Sequence, residues 1–137
     1  MSKKIEFLKN LLQKRILVLD GAMGTMLQAK GLKESDFNTG IFAGHPKPLM
    51  GDNDVLCITR PDAVKSVHWA YLEAGADIIE TNTFNSNAVS QADYGLERYV
   101  YELAYAGAKV AREAADEMTA RTPDKPRFVA GSIGPTG

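Results

Sequence analysis

Three short apolar runs set the strongest limit on what this chain folds into, because each closes on polar or glycine-rich sequence. They are "ILVL" at 16–19 ending in Asp20, "DIIET" at 77–81 followed by "NTF", and "RFVAGS" at 127–132 followed by "IGPTG". Apolar runs of this length without strict alternation read as strands covered on both faces, as in a parallel sheet. A parallel sheet in turn requires a crossover between one strand and the next, and helices fill both intervals.

The segment "RPDAVKSVHWAYLEAG" has Pro61 at a first-turn position and Gly75 as its stop, with Val64, Val67, His68, Tyr71 and Leu72 forming one apolar stripe. A second long helix is predicted from about Glu97 to Thr119, burying Val100, Leu103, Gly107, Val110, Ala114 and Met118. A shorter piece, 86–94, ends at Gly95. Residues 1–14 read as a leading amphipathic helix, with Ile5, Leu8, Leu11 and Leu12 on one face and Ser2 as its cap. Residues 31–54 show no period and contain four glycines and two prolines, so they read as a long functional loop or an excursion over a barrel mouth.

Strand–helix alternation implies an α/β fold with right-handed crossovers. The sequence given ends on the loop directly after the third strand, before any helix that would cover it. At roughly 45 to 60 residues per unit, a (β/α)8 TIM barrel of about 200 to over 400 residues needs far more chain. The expectation is that 1–137 supplies the first three β/α units, the N-terminal portion of such a barrel.

Composition excludes several classes. Sixteen Lys and Arg against seventeen Asp and Glu leave a net charge of −1, so nothing draws the whole chain to nucleic acid or to an anionic membrane. No apolar run approaches the roughly 20 residues that span a bilayer, and the N-terminus lacks the unbroken apolar core of a signal peptide. A cytoplasmic protein is the expectation. The single cysteine, Cys57, allows no internal disulfide and no structural zinc site. It reads as a small, half-buried apolar residue.

The glycine-rich turn after the first strand decides the chemistry. "DGAMGT" lacks both the lysine and the spacing of a Walker loop, and it has only two of the glycines of a dinucleotide loop. Asp20 would also repel a phosphate. The turn instead offers a mixed receptor, with the N–H groups of Gly21 and Ala22 as a small anion nest beside the Asp20 carboxylate. An anion receptor next to a cation receptor is what an amino-acid zwitterion requires, although Asp20 as a cap of the following turn explains the same residue. The second strand ends on Glu80, with Thr81, Asn82, Thr83 and Phe84 behind it, in the position where barrel enzymes build their sites. Glu80 serves equally well paired to a polar group of a neighbouring strand, whereas Asn82 and Thr83 point to function. Ser132 takes the equivalent place after the third strand. His68 reads as a satisfied packing histidine and His45 is assigned no role. Trp69 and the tyrosines Tyr94, Tyr99, Tyr101 and Tyr105 read as packing.

The stretches "LDGAMGTMLQ", "GDNDVLCITRPDAV", "EAGADIIETNTFNSNAVSQADYGLE" and "FVAGSIGPTG" closely resemble the N-terminal part of the cobalamin-dependent methionine synthases. The resemblance covers nearly the whole chain from about Arg15. The second and third motifs separate it from the wider homocysteine S-methyltransferases, including the betaine-dependent ones. It implies a homocysteine-binding barrel in which zinc, held by three cysteines, binds the substrate thiolate. Methylcobalamin on a separate module donates the methyl group, methyltetrahydrofolate restores it, and a further module reactivates oxidised cobalamin. Carried over, Asp20 with the backbone of Gly21 and Ala22 would hold the amino and carboxylate groups of L-homocysteine. Glu80, Asn82, Thr83 and Ser132 would line the same mouth. The zinc cysteines of the family lie on later strands, and Cys57 matches none of them. This chain by itself is therefore expected to bind neither zinc nor cobalamin and to be inactive, lacking the remaining barrel and the folate and cobalamin modules. Its open sheet edges are expected to promote self-association. A homocysteine methyltransferase with another donor and a non-catalytic self-associating module are the alternatives.

Overall fold

The computed structural model describes residues 3–136. The elements that carry the fold are α5 (Pro61–Glu73), β1 (Ile78–Glu80), α7 (Val100–Arg121) and β2 (Phe128–Ala130). Shorter helices precede and separate them: α1 (Lys3–Leu12), α2 (Met23–Gln28), α3 (Glu34–Phe37), α4 (Leu56–Thr59) and α6 (Ala88–Ala92). α5 starts and stops close to where the sequence predicts. Pro61 occupies the first turn of α5, and Gly75 beyond its end adopts φ +106, a conformation that side chains resist. Asn87 caps α6 by accepting from the Ser90 N–H at 2.9 Å.

β1 and β2 pair in parallel with Ile78 opposite Phe128, Ile79 opposite Val129 and Glu80 opposite Ala130. The first apolar run joins the other side of β1, but as a narrower contact than a full strand. It makes one parallel bridge, Leu19 to Ile78, with the Asp20 N–H donating to the Ile78 carbonyl at 2.9 Å. A buried carboxylate fixes this segment. Asp77 is 1% exposed and accepts from both Arg15 guanidinium nitrogens, at 2.6 and 3.0 Å, and from the Val18 N–H at 2.9 Å. These bonds, led by Arg15, hold the Asp77 carboxyl below the usual range.

Helices α5 and α7 cover one face of the sheet. Ile79 is buried against Leu72 from α5 and Ala111, Ala114, Ala115 and Met118 from α7. The alanines let a 22-residue helix lie close to the strands. Ile16 (86% exposed) and Val18 (54%) leave the first apolar run uncovered, contrary to its reading as a strand buried on both faces.

Residues 31–54 are packed structure rather than an open loop. Besides α3, they contain single 3-10 turns at Gly40–Phe42 and Asn53–Val55, and they bury Phe37, Phe42 and Leu49 against Leu56, Val64 and Leu103. The Glu34 carboxylate ties the segment together by accepting from the Leu49 and Met50 N–H groups, both at 2.7 Å. A chain without period thus folds through side-chain to backbone bonds, which leave no repeating signature.

Several sequence expectations change. α1 exposes Ile5 and Leu12 and touches the sheet mainly through Phe7, whose ring lies 6.4 Å from that of Phe128. Ser2, expected as its cap, lies outside the described residues. His68 is fully buried, yet neither ring nitrogen has a partner among the described residues, so it packs without being satisfied by them. Burial pulls its pKa down to about 4, leaving it neutral at pH 7. His45, given no role, joins the 31–54 segment to residue 94, its Nε2 lying 2.7 Å from the Tyr94 carbonyl. Tyr99 packs edge-on against Phe42, whereas Tyr101 and Tyr105 stack on each other at the exposed surface of α7. Trp69 lies under the Arg121 guanidinium at 4.3 Å. No described helix is long and apolar enough to cross a membrane.

Candidate functional site

A cleft of about 410 Å3 opens where the 16–20 segment, β1 and β2 reach their C-terminal ends. It gathers residues more than a hundred positions apart in sequence. Asp20, Gly21 and Ala22 line it from the first turn, Glu80 and Asn82 from the end of β1, and Ser132 from beyond β2. Parallel strands make this convergence automatic, because all their C-terminal ends lie on one side of the sheet.

Asp20 does not cap the turn that follows it. Its Oδ1 accepts from the Glu80 N–H at 3.0 Å, across the strands, and Ala22 before α2 receives no side-chain cap. Loss of water pushes the Asp20 carboxyl up to about 6, the Glu80 N–H opposes the shift, and the Glu80 charge adds to it. The Glu80 carboxylate itself is exposed. Gly21 has no positive φ and Ala22 sits at φ −57, so the alternation of hand that defines an anion nest is absent. What the turn does present is two N–H groups that donate to none of the described residues. Tyr71 of α5 braces it, its hydroxyl donating to the Ala22 carbonyl at 3.2 Å. A Cβ on Gly21 would lie 3.3 Å from that hydroxyl oxygen.

Asn82 and Thr83 divide the work behind the cleft. The Asn82 amide donates to the Asn53 carbonyl at 2.8 Å and to the Cys57 sulfur at 3.4 Å. Cys57 is 3% exposed, more deeply buried than the sequence reading has it, and burial pushes its thiol up to about 12. Thr83 does not line the cleft. Its Oγ1 donates to the Ser132 carbonyl at 2.8 Å, so the 2.6 Å contact between Thr81 and Thr83 hydroxyls has Thr81 as donor. Thr81 Oγ1 in turn accepts from the Ser132 N–H at 3.0 Å. This closed relay locks the turn after β2 onto the turn after β1.

Seven cleft residues were not assigned to binding from the sequence: Met23, Gly24, Asn53, Asp54, Thr81, Phe84 and Asn85. Asp54 is 2% exposed, and its Oδ2 accepts from the Asn85 N–H at 2.9 Å and the Ser86 hydroxyl at 2.7 Å. Burial pushes its carboxyl up to about 6. An acidic residue inside "GDND" looks like a solvated turn, and its partners lie some thirty residues away, so local sequence carries no signal of its burial. Among the described residues no three His, Cys, Asp or Glu side chains cluster to hold a metal.

An amino-acid-sized cleft of carboxylates, amides and free N–H groups, set at the ends of parallel strands behind crossover helices, defines an α/β protein with a small-molecule site at its strand ends. The chain belongs to the homocysteine S-methyltransferase family, whose model matches residues 17–137. It is also similar to two crystal structures of the homocysteine methyltransferase MmuM from Escherichia coli. The metallated form matches at 28% identity with a TM-score of 0.72, over 95% of this chain and 42% of that one. The oxidised form matches at 30% identity with a TM-score of 0.72, over 93% of this chain and 40% of that one. The chain thus spans about two-fifths of the length of the structures it matches.

Proposed function

We propose that the cleft receives the amino-acid end of L-homocysteine, in a protein that methylates the sulfur of that substrate. The observation that carries this reading is the juxtaposition of the Asp20 carboxylate with the unengaged N–H groups of Gly21 and Ala22. Asp20 would take the ammonium group and the two N–H groups the carboxylate, leaving the thiol directed outward. Glu80, Asn82 and Ser132 would line the same mouth, while Thr83 would act from behind through its relay.

Within the family, we assign the chain to the cobalamin-dependent methionine synthases, as the N-terminal portion of a homocysteine-binding (β/α)8 barrel. The motifs around Asp54 and from Glu73 to Glu97 support that choice over a family member with another donor. Methylcobalamin would supply the methyl group, and zinc held by cysteines elsewhere in the barrel would lower the thiol pKa.

Titrating L-homocysteine into the 15N-labelled chain tests the site. The expected result is weak, saturable shifts of the Gly21 and Ala22 amides that D20N abolishes and one equivalent of zinc leaves unchanged. Shifts confined to other regions would overturn the assignment, and zinc-dependent binding would make Cys57 or a histidine a ligand. Loss of the methylcobalamin absorbance on adding homocysteine to the full-length protein tests the donor.

A further inference from the structure

The cleft poses an electrostatic problem for the substrate proposed above. Asp20, Asp54 and Glu80 line it, and no Lys, Arg or His does. An ammonium group is welcome there, but the carboxylate on the same carbon must find neutral donors, since an unpaired anion among three carboxylates is strongly disfavoured.

Asn85 is built to be such a donor. The residue lines the cleft and its side-chain amide makes no hydrogen bond with any described residue, yet its backbone is held on both sides. The N–H donates to Asp54 Oδ2 at 2.9 Å, and the carbonyl accepts from Gln91 Nε2 at 3.1 Å. Gln91, itself fully buried, is anchored in turn on Asp52 Oδ1 at 3.1 Å. The Ser86 hydroxyl adds a second bond to Asp54 at 2.7 Å. A fixed backbone presenting an unengaged amide is the arrangement a recognition residue needs, because little freedom remains to be lost on binding. Of the other two cleft amides, Asn82 is spent on the Asn53 carbonyl and the Cys57 sulfur, and Asn53 lies beside α2, its Nδ2 3.4 Å from where a Cβ on Gly24 would stand.

We propose that Asn85 reads the α-carboxylate of the amino-acid substrate through its Nδ2, as a third neutral donor beside the Gly21 and Ala22 N–H groups, with Asp54 and Gln91 as the positioning residues that hold it in place. The inference rests on the homocysteine reading of the cleft. Its test compares L-homocysteine with the aminothiol left when homocysteine loses its carboxylate. N85A removes no bond present in the free protein, so the variant is expected to fold as the parent does.

Binding of both compounds is measured by calorimetry on the parent chain, N85A and N85D. The expected outcome is a loss of about tenfold in homocysteine affinity for N85A, a larger loss for N85D, and unchanged affinity for the aminothiol. Equal losses for both compounds, or none for either, overturn the role of Asn85 while leaving the homocysteine reading intact. A parent chain that binds neither compound overturns both.

Discussion

At the scale of single residues, the cleft side of the molecule carries carboxylates that would be more stable protonated. Asp52 is fully buried, one of its oxygens has no partner among the described residues, and burial pushes its carboxyl up to about 6. Because the folded pKa lies above the unfolded value of about 3.9, the native state holds the extra proton between those limits. Stability therefore falls as pH rises from about 4 to about 6. D52N keeps an acceptor for Gln91 Nε2 and removes the buried charge. The expectation is a gain of about 2 kcal/mol at pH 7, with little change at pH 4.5, read from urea denaturation at the two values. Asp20 and Asp54 shift in the same direction, so part of the slope survives the substitution. Asp77 behaves oppositely: its pKa is lowered, and its contribution is lost only as pH drops below the ordinary carboxylate range.

At the scale of elements, the cleft depends on how closely α7 approaches the end of β1. Gly107 sits in the buried face of that helix, where a Cβ would stand 2.4 Å from Thr83 Cγ2. Alanine there gains about 1 kcal/mol of helix propensity, but it forces Thr83 to turn and breaks the relay to Ser132. Overpacking prevails, and G107A is expected to cost about 1–3 kcal/mol net in chemical denaturation. T83S keeps the hydroxyl and removes the clashing methyl, so the double variant G107A/T83S recovers most of the loss. Additive losses in that cycle would show that the clash is not the cause. The small-residue stripe of α7 is legible in the sequence as a close-packing face, and its partner is not. Thr83 is 24 positions away and reads from sequence as a site residue, whereas the hydroxyl is consumed in holding two turns together.

At the scale of the whole molecule, the sheet is covered by α5 and α7 and open at its sides. The 16–20 segment and β2 each have one edge without a strand partner among the described residues, and Ile16 and Val18 stand in solvent beside it. Unpaired strand edges flanked by apolar side chains invite pairing between copies. The chain is expected to self-associate with rising concentration in light scattering coupled to size exclusion, and I16K to shift it towards monomer. A parent chain that stays monomeric throughout would rule out edge pairing.

The sequence by itself determined the alternation of strand and helix, the ends of α5, the existence of α7, and the placing of Asp20, Glu80, Asn82 and Ser132 at strand ends. These follow from local rules: periodicity of 3.6, proline and glycine at helix boundaries, and apolar runs that must be buried. Only the tertiary structure decided that Asp20 bonds to Glu80 rather than to its own turn, and that residues 31–54 pack. It also decided that Asp54 lies buried beneath Asn85, and that Thr83 faces away from the cleft. Each depends on partners some fifteen to sixty residues apart that meet only in the folded chain. A burial cost or a hydrogen bond between such partners has no counterpart in local sequence.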